Sequence, residues 1–461
     1  MDTIHHTPLR GADLTSQPVP RLIWRLAVPV SVGFFFNTMF NVVDTFYAGT
    51  ISTQALAALS LTVPVFFIII AIGSGLSAGT TALIGNALGA DDTTAARQYA
   101  LQGLTFGAIT SMIVVVAGLL AAPSLFRLLG ARDVYLNDCL IYMDIIFDGT
   151  LFFLLNYMLN AILTALGDTR SYRNFLIVGF CVNILLDYWF IAGGLGVPSL
   201  GIAGIALSTI LIQLGGGVYL SMKVYEQQFL RDRRLHEIIP HRTPFMQIAH
   251  QGLPASISML TVGIGFFVIT YFASTFGQAA VAAYGVATRI EQIVLLPTIG
   301  LNTAALTLIA HNNGSKRFDR IDDTLYRCLR YGFYFMAAGT IIVFVLSPYL
   351  MILFTDDVSV QAIGTVYLRI GSLVFYAYVI LFLSIAALQG IKRPLYGIWI
   401  GIARQLILPL VVFTFLIDVL HCGIIGIWWG IFAINWSAAV ITFVYTRSIL
   451  KKVAQPSANT A

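Results

Sequence analysis

Long apolar runs constrain the fold of this chain more than any other feature. They recur along all 461 residues, separated by short polar connections, and most match the roughly 20 residues that cross a bilayer as a helix. Hydrophobic residues make up 58% of the chain and charged residues only 10%, whereas a soluble domain carries about a quarter charged residues. A soluble core cannot bury this much apolar surface. We therefore predict an all-α membrane protein and exclude a soluble enzyme.

The apolar runs predict about twelve membrane-spanning helices. Their approximate bounds are 22–48, 53–85, 95–121, 135–166, 172–193, 200–222, 246–273, 278–310, 325–346, 360–390, 394–418 and 423–449. The second, fourth, eighth and tenth spans are long enough to tilt in the bilayer or to project beyond it.

The basic residues outside these spans fall almost entirely on one side of the predicted membrane. Connections on the opposite side carry only Arg127 and Arg132. The positive-inside rule then places both termini in the cytoplasm, which predicts a multi-pass protein of the cell (inner) membrane. The same rule explains the net charge of +5, so no nucleic-acid partner is expected.

An internal repeat divides the chain into two similar halves. Residues 44–90 align without a gap on 269–315, and Gly75 then falls on Gly300. Farther along, TALGDTRSY (164–172) resembles ALQGIKRPLY (387–396), which places Gly167 on Gly390. Each half holds six predicted helices, an even number, so the halves are parallel repeats related by a pseudo-two-fold axis along the membrane normal. We expect two six-helix lobes in a V shape around a central cleft.

The predicted organisation follows from this repeat and from the charged connection KVYEQQFLRDRRLHEIIPHRTP, which we interpret as a solvated linker. The predicted parts are a cytoplasmic N-terminal tail (1–21), an N-lobe (22–222), a cytoplasmic linker (223–245), a C-lobe (246–449) and a cytoplasmic C-terminal tail (450–461).

Asp44 is the first carboxyl inside a predicted span. Asn37, Asn41 and Asp44 recur at a spacing of about one helical turn and therefore share a face. Pro29, farther back in the same span, removes a backbone hydrogen bond and weakens the helix there. A carboxyl inside a membrane is costly and usually functional, so we favour a coupling role for Asp44 over a role as a helix-end cap facing water.

Asp187 is the second such carboxyl, and Asn183 precedes it by one turn. If the neighbouring helices converge, Asn160, Ser208 and Thr209 join it. Two close carboxyls repel, so one of them would hold its proton to a higher pH. The same oxygens could instead bind Na⁺ through Asp44, Asn183, Asp187 and Thr209. Hydrogen bonding between helices without any coupling is the remaining interpretation.

Other polar residues in the spans carry weaker signals. We interpret Glu291, two residues from Arg289 in the eighth span, and Arg404 as structural groups that pair with helix partners or water, with substrate contact as the alternative. Aromatic faces attract organic cations, and the residues predicted to line a substrate cavity are Asn37, Asn41, Phe36, Trp189 and Tyr157. The four scattered cysteines and seven histidines form no metal or catalytic motif, so we expect neither a cofactor nor an enzyme.

Four motifs in order along the chain resemble those of the multidrug and toxic compound extrusion (MATE) family. They are NVVDTFYAG (41–49), LTALGDTRS (163–171), VNILLD (182–187) and GIAGIALST (201–209). The motif GVATRIEQ (285–292) resembles the DinF-like branch of that family. Members of the NorM-like branch carry acids in helices 7 and 10, whereas this chain has none there, and Ile269 is the counterpart of Asp44.

The resemblance implies export of amphipathic, often cationic, organic compounds in exchange for a cation. The residues it implies for coupling are Asp44, Asn160, Asn183, Asp187 and Thr209, with Pro29 as the bend in the first helix. We predict a proton-coupled antiporter that works by alternating access and functions as a monomer in the lipid bilayer. The alternatives are a Na⁺-coupled multidrug exporter, a lipid-linked saccharide flippase and, from another class, an integral membrane enzyme.

Overall fold

The computed structural model describes residues 11–194, 196–227, 237 and 239–455. Residues 1–10 and 456–461 of the predicted tails, and residues 228–236 and 238 of the predicted linker, lie outside the described residues. Regular structure in the described part is helical, apart from one isolated β-bridge between Gly194 and Val197. The prediction of an all-α fold is therefore confirmed.

The helices are α1 Gly11–Ser16, α2 Val19–Ile51, α3 Thr53–Gly89, α4 Thr93–Leu128, α5 Asp133–Asp148, α6 Thr150–Ala165, α7 Arg170–Ala192, α8 Ile202–Tyr225, α9 Arg242–Ser274, α10 Gln278–Gly314, α11 Phe318–Ile352, α12 Val358–Ser372, α13 Phe375–Gly390, α14 Leu395–Ile402, α15 Leu408–Thr414 and α16 Gly423–Ala454. Two π-helical turns, Ala403–Ile407 and Phe415–Val419, follow α14 and α15 in one continuous span.

Ten helices in the described residues are long and apolar enough to cross a membrane, and α12 with α13 adds an eleventh span bent by 49°. The predicted fourth span is also broken, into α5 and α6 on either side of Gly149. A Cβ at Gly149 would overlap the side chain of Ile210 on α8, so close packing explains the glycine at this junction. Apolar side chains remain exposed in rows along the helices, as at Ile113, Val116 and Leu120 on α4, where lipid would surround them.

The internal repeat is visible in the helix bounds. Helices α3 and α10 begin at 53 and 278 and end at 89 and 314, an offset of 225 residues. The same offset relates Gly167, at φ 81°, to Lys392, at φ 62°. The pairing of Gly167 with Gly390 was therefore wrong by two residues. A glycine holds the left-handed turn position in one repeat and a lysine holds it in the other, so residue identity misaligned them.

The described chain forms two compact units. Unit 1 contains Val32–Ser256, and unit 2 contains Ala12–Ser31 together with Ile257–Ala461. The chain passes from one unit to the other inside α2 and inside α9, two residues after Pro29 and two residues after Pro254. The boundaries of these units differ from those of the predicted lobes. The first part of α2 belongs to the unit formed mainly by the second repeat, and the first part of α9 belongs to the unit formed mainly by the first repeat.

Small residues make this packing possible. In unit 1, a Cβ at Gly75 would overlap the backbone of Ser256, and one at Gly79 would lie 2.6 Å from the nitrogen of Gly252. In unit 2, a Cβ at Gly300 would overlap Ser31. The glycines that align in the sequence repeat therefore mark the places where α9 and α2 approach a neighbouring helix backbone most closely.

We expect Gly75→Ala to destabilise the protein by at least about 2 kcal/mol, because the added methyl group meets backbone that cannot rotate away. Thermal unfolding of the purified protein in detergent would measure the loss. Gly215→Ala is the matched control, since a Cβ there meets nothing within 4 Å. Equal melting temperatures for the two variants would contradict the close approach.

The described part of the predicted linker contacts α4. The buried Glu237 accepts a hydrogen bond from Nη2 of Arg97 on α4 at 2.9 Å. Nε2 of Gln102 donates to the carbonyl oxygens of Glu237 and Ile239 at 2.7 and 2.8 Å, and its Oε1 accepts from the backbone nitrogen of His241 at 3.0 Å. The linker is therefore held to α4 through its backbone, while Ile239, Pro240 and His241 remain exposed.

Unit 2 holds the start of α2 in a similar way. Arg317 donates to the carbonyl oxygen of Thr15 at 2.7 Å, and Arg320 donates to that of Gln17 at 2.7 Å. Side chains near the start of α4 thus hydrogen-bond to the segment that precedes α9 in unit 1. Side chains near the start of α11 do the same for the segment that precedes α2 in unit 2.

A buried carboxyl pair in unit 1

Asp44 on α2 and Asp187 on α7 lie together inside unit 1. Asp44 is 6% exposed and Asp187 is fully buried. The side chain of Asn183, one turn before Asp187, connects them, because its Nδ2 lies 3.0 Å from Oδ1 of Asp44 and 3.0 Å from Oδ2 of Asp187. The structure thus brings together three residues that were predicted as a cluster.

Ser208 on α8 completes this group by donating a hydrogen bond from its hydroxyl to Oδ1 of Asp187. The carboxyl groups of Asp44 and Asp187 lie close together, because both accept hydrogen bonds from the one amide nitrogen of Asn183. Neither takes part in an ion pair with a described basic residue. Two buried carboxylates without a counter-ion repel strongly, so the pair is suited to holding a proton or a small cation.

The amide oxygen of Asn183 adds one more feature to the pair. Oδ1 is buried and has no hydrogen-bond partner among the described residues. An unpaired buried acceptor is costly. This oxygen could accept a hydrogen bond from a protonated carboxyl, or it could bind a cation that prefers oxygen ligands.

A cavity in unit 1 opens beside Asp44. Its described lining consists of amide, aromatic and aliphatic side chains with Asp44 as the one acid: Asn37, Phe40, Asn41, Asp44, Phe66, Ile70, Tyr142, Phe153, Asn156, Tyr157, Tyr172, Phe175, Leu176, Gly179, Thr209, Ile212 and Gln213. None of these described residues carries a positive charge. The cavity therefore combines aromatic faces, amides and a single carboxyl, a set that suits an amphipathic ligand with a positive charge.

The predicted cavity residues Asn37, Asn41 and Tyr157 line this cavity, whereas Phe36 and Trp189 do not. Phe36 instead packs edge-on against Phe180, with ring centroids 5.5 Å apart. The indole of Trp189 donates to the carbonyl oxygen of Gly194, beyond the end of α7.

The other predicted coupling residues lie apart from the hydrogen-bonded pair. Oδ1 of Asn160 accepts from the hydroxyl of Thr164, one turn along α6, at 3.2 Å. The hydroxyl of Thr209 donates to the carbonyl oxygen of Ile205 and lines the cavity, while the adjacent Ser208 contacts Asp187. Helix α2 continues through Pro29 without a break.

A second polar contact in the cavity was missed at the sequence level. Nδ2 of Asn156 on α6 donates to both the carbonyl oxygen and Oε1 of Gln213 on α8, each at 2.8 Å. Both residues are amides within apolar runs, and that signal could have identified them. Their pairing depends on how α6 and α8 face each other, which the sequence does not give.

A helical membrane protein with a buried carboxyl pair beside an internal cavity has the architecture of a membrane transporter. Comparisons with known proteins define the family within that class. The MatE family model matches residues 29–189 and 254–415. The chain belongs to this family of multidrug and toxic compound extrusion transporters, and it is therefore a transporter and not an enzyme. The two matched stretches begin at Pro29 and Pro254, the two equivalent prolines of the repeat.

Several relatives match nearly the whole chain. It is 26% identical to the FAD transporter of Shewanella oneidensis over 97% of this chain and 98% of that protein. It is 23% identical to the probable multidrug resistance protein NorM of Thermotoga maritima over 91% of each chain. Among solved structures, a MOP superfamily transporter from Pyrococcus furiosus, described as having a binding pocket of reverse polarity, superimposes with a TM-score of 0.91 at 25% identity, covering 97% of this chain and 99% of that one.

Proposed function

We propose that this protein is a proton-coupled antiporter that exports amphipathic organic cations. One observation carries the proposal: Asp44 both lines the cavity and shares the side chain of Asn183 with the buried Asp187. A cation in the cavity and a proton on the pair therefore compete for the same negative charge. Competition of this kind couples the export of one to the import of the other.

The proposed cycle begins with the pair ionised and a cationic compound in the cavity. A proton that enters from outside neutralises the pair, which removes the attraction for the compound and favours its release. Pro29 cannot donate a hydrogen bond to the preceding turn, so bending α2 at this proline costs less than elsewhere in the helix. We propose that protonation of the pair and bending at Pro29 accompany each other, and that the two lobes alternate access to the cavity.

Sodium is the alternative coupling ion. The oxygens of Asp44, Asp187 and Thr209 and the unpaired Oδ1 of Asn183 are the hard ligands that Na⁺ also accepts. We favour the proton because both carboxyls accept from the one amide of Asn183 and therefore repel each other when both are ionised. The Na⁺-coupled exporter remains the second form of the same proposal.

Reconstituted vesicles with imposed gradients test the proposal. The purified protein would be placed in vesicles, and movement of ethidium, a planar aromatic cation, would be followed with a proton gradient alone and then with a sodium gradient alone. Proton coupling predicts movement under the first gradient only. Movement under the sodium gradient only would replace the proton by Na⁺, and no movement under either would contradict coupled export of organic cations.

Export of FAD is a second candidate function, favoured by similarity to the Shewanella FAD transporter across 97% of this chain. The described cavity lining argues against it, because a pyrophosphate would meet Asp44 and no basic residue there. The same vesicles, loaded with FAD and with ethidium in parallel, distinguish the two. Transport of FAD without transport of ethidium would establish the second candidate.

We place the protein in the cell inner membrane as a monomer with both termini in the cytoplasm. A lipid-linked saccharide flippase ranks lower, because its phosphates also require positive charge in the cavity.

A further inference from the structure

Unit 2 contains a buried carboxyl that the proposed transport cycle does not use. Glu291 on α10 is 8% exposed. Its Oε2 accepts a hydrogen bond from the hydroxyl of Tyr367 on α12 at 3.1 Å. Tyr367 is itself 3% exposed, so this contact is shielded from solvent. The interpretation of Glu291 as paired with a partner on another helix thus fits its contact, but the partner is neutral.

The surroundings of Glu291 are built around the carboxyl. A Cβ at Gly371, one turn after Tyr367, would lie 2.6 Å from Oε1 of Glu291, so the glycine leaves room for that oxygen. Tyr284, Tyr367 and Trp428 form an aromatic group beside it, with ring centroids between 4.7 and 6.1 Å apart. The indole nitrogen of Trp428 is buried without an acceptor among the described residues.

No described basic residue forms an ion pair with Glu291. An ionised Glu291 would have one neutral donor and no contacting cation, which is costly in a buried site. Arg404, on the π-helical turn after α14, is a buried basic residue in the same unit. It donates from Nη1 to Oδ1 of Asn435 at 2.7 Å and lies over the ring of Tyr378 at 5.9 Å.

Arg404 cannot give up its proton, so it keeps a positive charge inside unit 2. If Glu291 is ionised, its charge is buried with one neutral donor and no contacting cation among the described residues. If Glu291 is protonated, that cost is relieved and the hydroxyl of Tyr367 still contacts the carboxyl. A buried carboxyl in these surroundings is suited to exchanging a proton.

We propose that Glu291 is a second proton-binding carboxyl, held by Tyr367 and Gly371 in unit 2, that gains and releases a proton during transport. The inference rests on the proposed proton coupling and adds a site to it. The groups that face it are Tyr284 on its own helix, Tyr367 on α12, Tyr378 on α13 and, beyond Tyr378, Arg404. Arg289 and Arg369 are exposed, and no described titratable group of α11 or α16 hydrogen-bonds to Glu291.

Infrared difference spectroscopy in a pH titration tests this site directly, because a carboxylic acid that loses its proton loses its carbonyl band. Wild type and Glu291→Gln would be compared in vesicles, without substrate and then with ethidium. We expect one carboxyl component that responds to ethidium in the wild type to be missing from Glu291→Gln. We also expect proton-driven ethidium efflux to fall by about tenfold, the order of a typical coupling energy.

Tyr367→Phe separates a proton-exchanging site from a merely structural one. The phenol donates to the ionised carboxyl and favours it, so without the phenol Glu291 should keep its proton to a higher pH and the infrared transition should shift upward. Tyr396→Phe is the matched control, because it removes a tyrosine hydrogen bond to Thr442 in the same unit without touching a carboxyl. We expect no shift in that variant.

The outcomes distinguish the two proposals. Proton-driven efflux in the wild type together with an infrared titration that is the same in Glu291→Gln and Tyr367→Phe would overturn the role of Glu291 alone. No proton-driven efflux in the wild type would overturn proton coupling itself. If Glu291→Gln fails to fold, Tyr367→Phe retains the carboxyl and decides the question by the shift.

Discussion

Replacing Asp44 by asparagine is expected to abolish proton-driven efflux of ethidium, with a loss of about 100-fold or more. The amide keeps the size of the side chain and can still hydrogen-bond to Asn183, but it can neither take up a proton nor offer a negative charge to a cation in the cavity. Initial rates of efflux in vesicles under an imposed proton gradient would measure the change.

Asp144→Asn provides the matched control for Asp44→Asn. Asp144 lies on the exposed side of α5, outside the carboxyl pair and the cavity lining. We expect it to transport at the wild-type rate. Wild-type efflux by Asp44→Asn, with normal folding and the same gradient, would show that the carboxyl pair is not the coupling site.

A second large effect is expected for Asn183→Ala, of about tenfold or more in proton-driven efflux. Its side chain connects the two carboxyls, and its loss leaves both buried with fewer hydrogen-bond partners. Asn160→Ala is the variant to compare with Asn183→Ala. The resemblance to the family implies a coupling role for Asn160, whereas the structure pairs it with Thr164. We expect that variant to lose at most about twofold.

Efflux rates would be measured for both variants, and ethidium binding would be measured by fluorescence. These measurements decide whether Asn160 acts in coupling or only pairs with Thr164. A loss in Asn160→Ala equal to that in Asn183→Ala would mean that Asn160 joins the pair during transport. A normal rate in Asn183→Ala would mean that the bridge seen between Asp44 and Asp187 is dispensable.

Much of the fold could be predicted because hydropathy is a local property. Each apolar run of the sequence became a helix, a broken pair of helices or, in the eleventh run, one span of α-helical and π-helical turns. The break at Gly149 could not be predicted, because it depends on packing against Ile210 of α8. The break between Ser372 and Phe375 was not predicted either. The passage from one unit to the other inside α2 and α9 was missed for the same reason, since hydropathy does not show which bundle receives each half of a long helix.

Helical spacing could predict only the part of the carboxyl pair that lies on a single helix. Asn183 and Asp187 share a face because they are four residues apart, and Asp44 was recognised as a carboxyl in an apolar run. The choice of Ser208 over Thr209 depends on the rotation of α8 about its axis. Adjacent residues on a helix point about 100° apart, so only the three-dimensional packing identifies which hydroxyl reaches the carboxyl.

The exchange of helix segments between the units has a consequence for how such a chain could have arisen by duplication. Each compact unit contains one repeat without the beginning of its first helix, plus the beginning of the other repeat's first helix. A single repeat that kept this division could complete its bundle with a second copy of itself, as a segment-swapped homodimer. Fusion of the two copies would then replace an encounter between molecules by a tethered, intramolecular association.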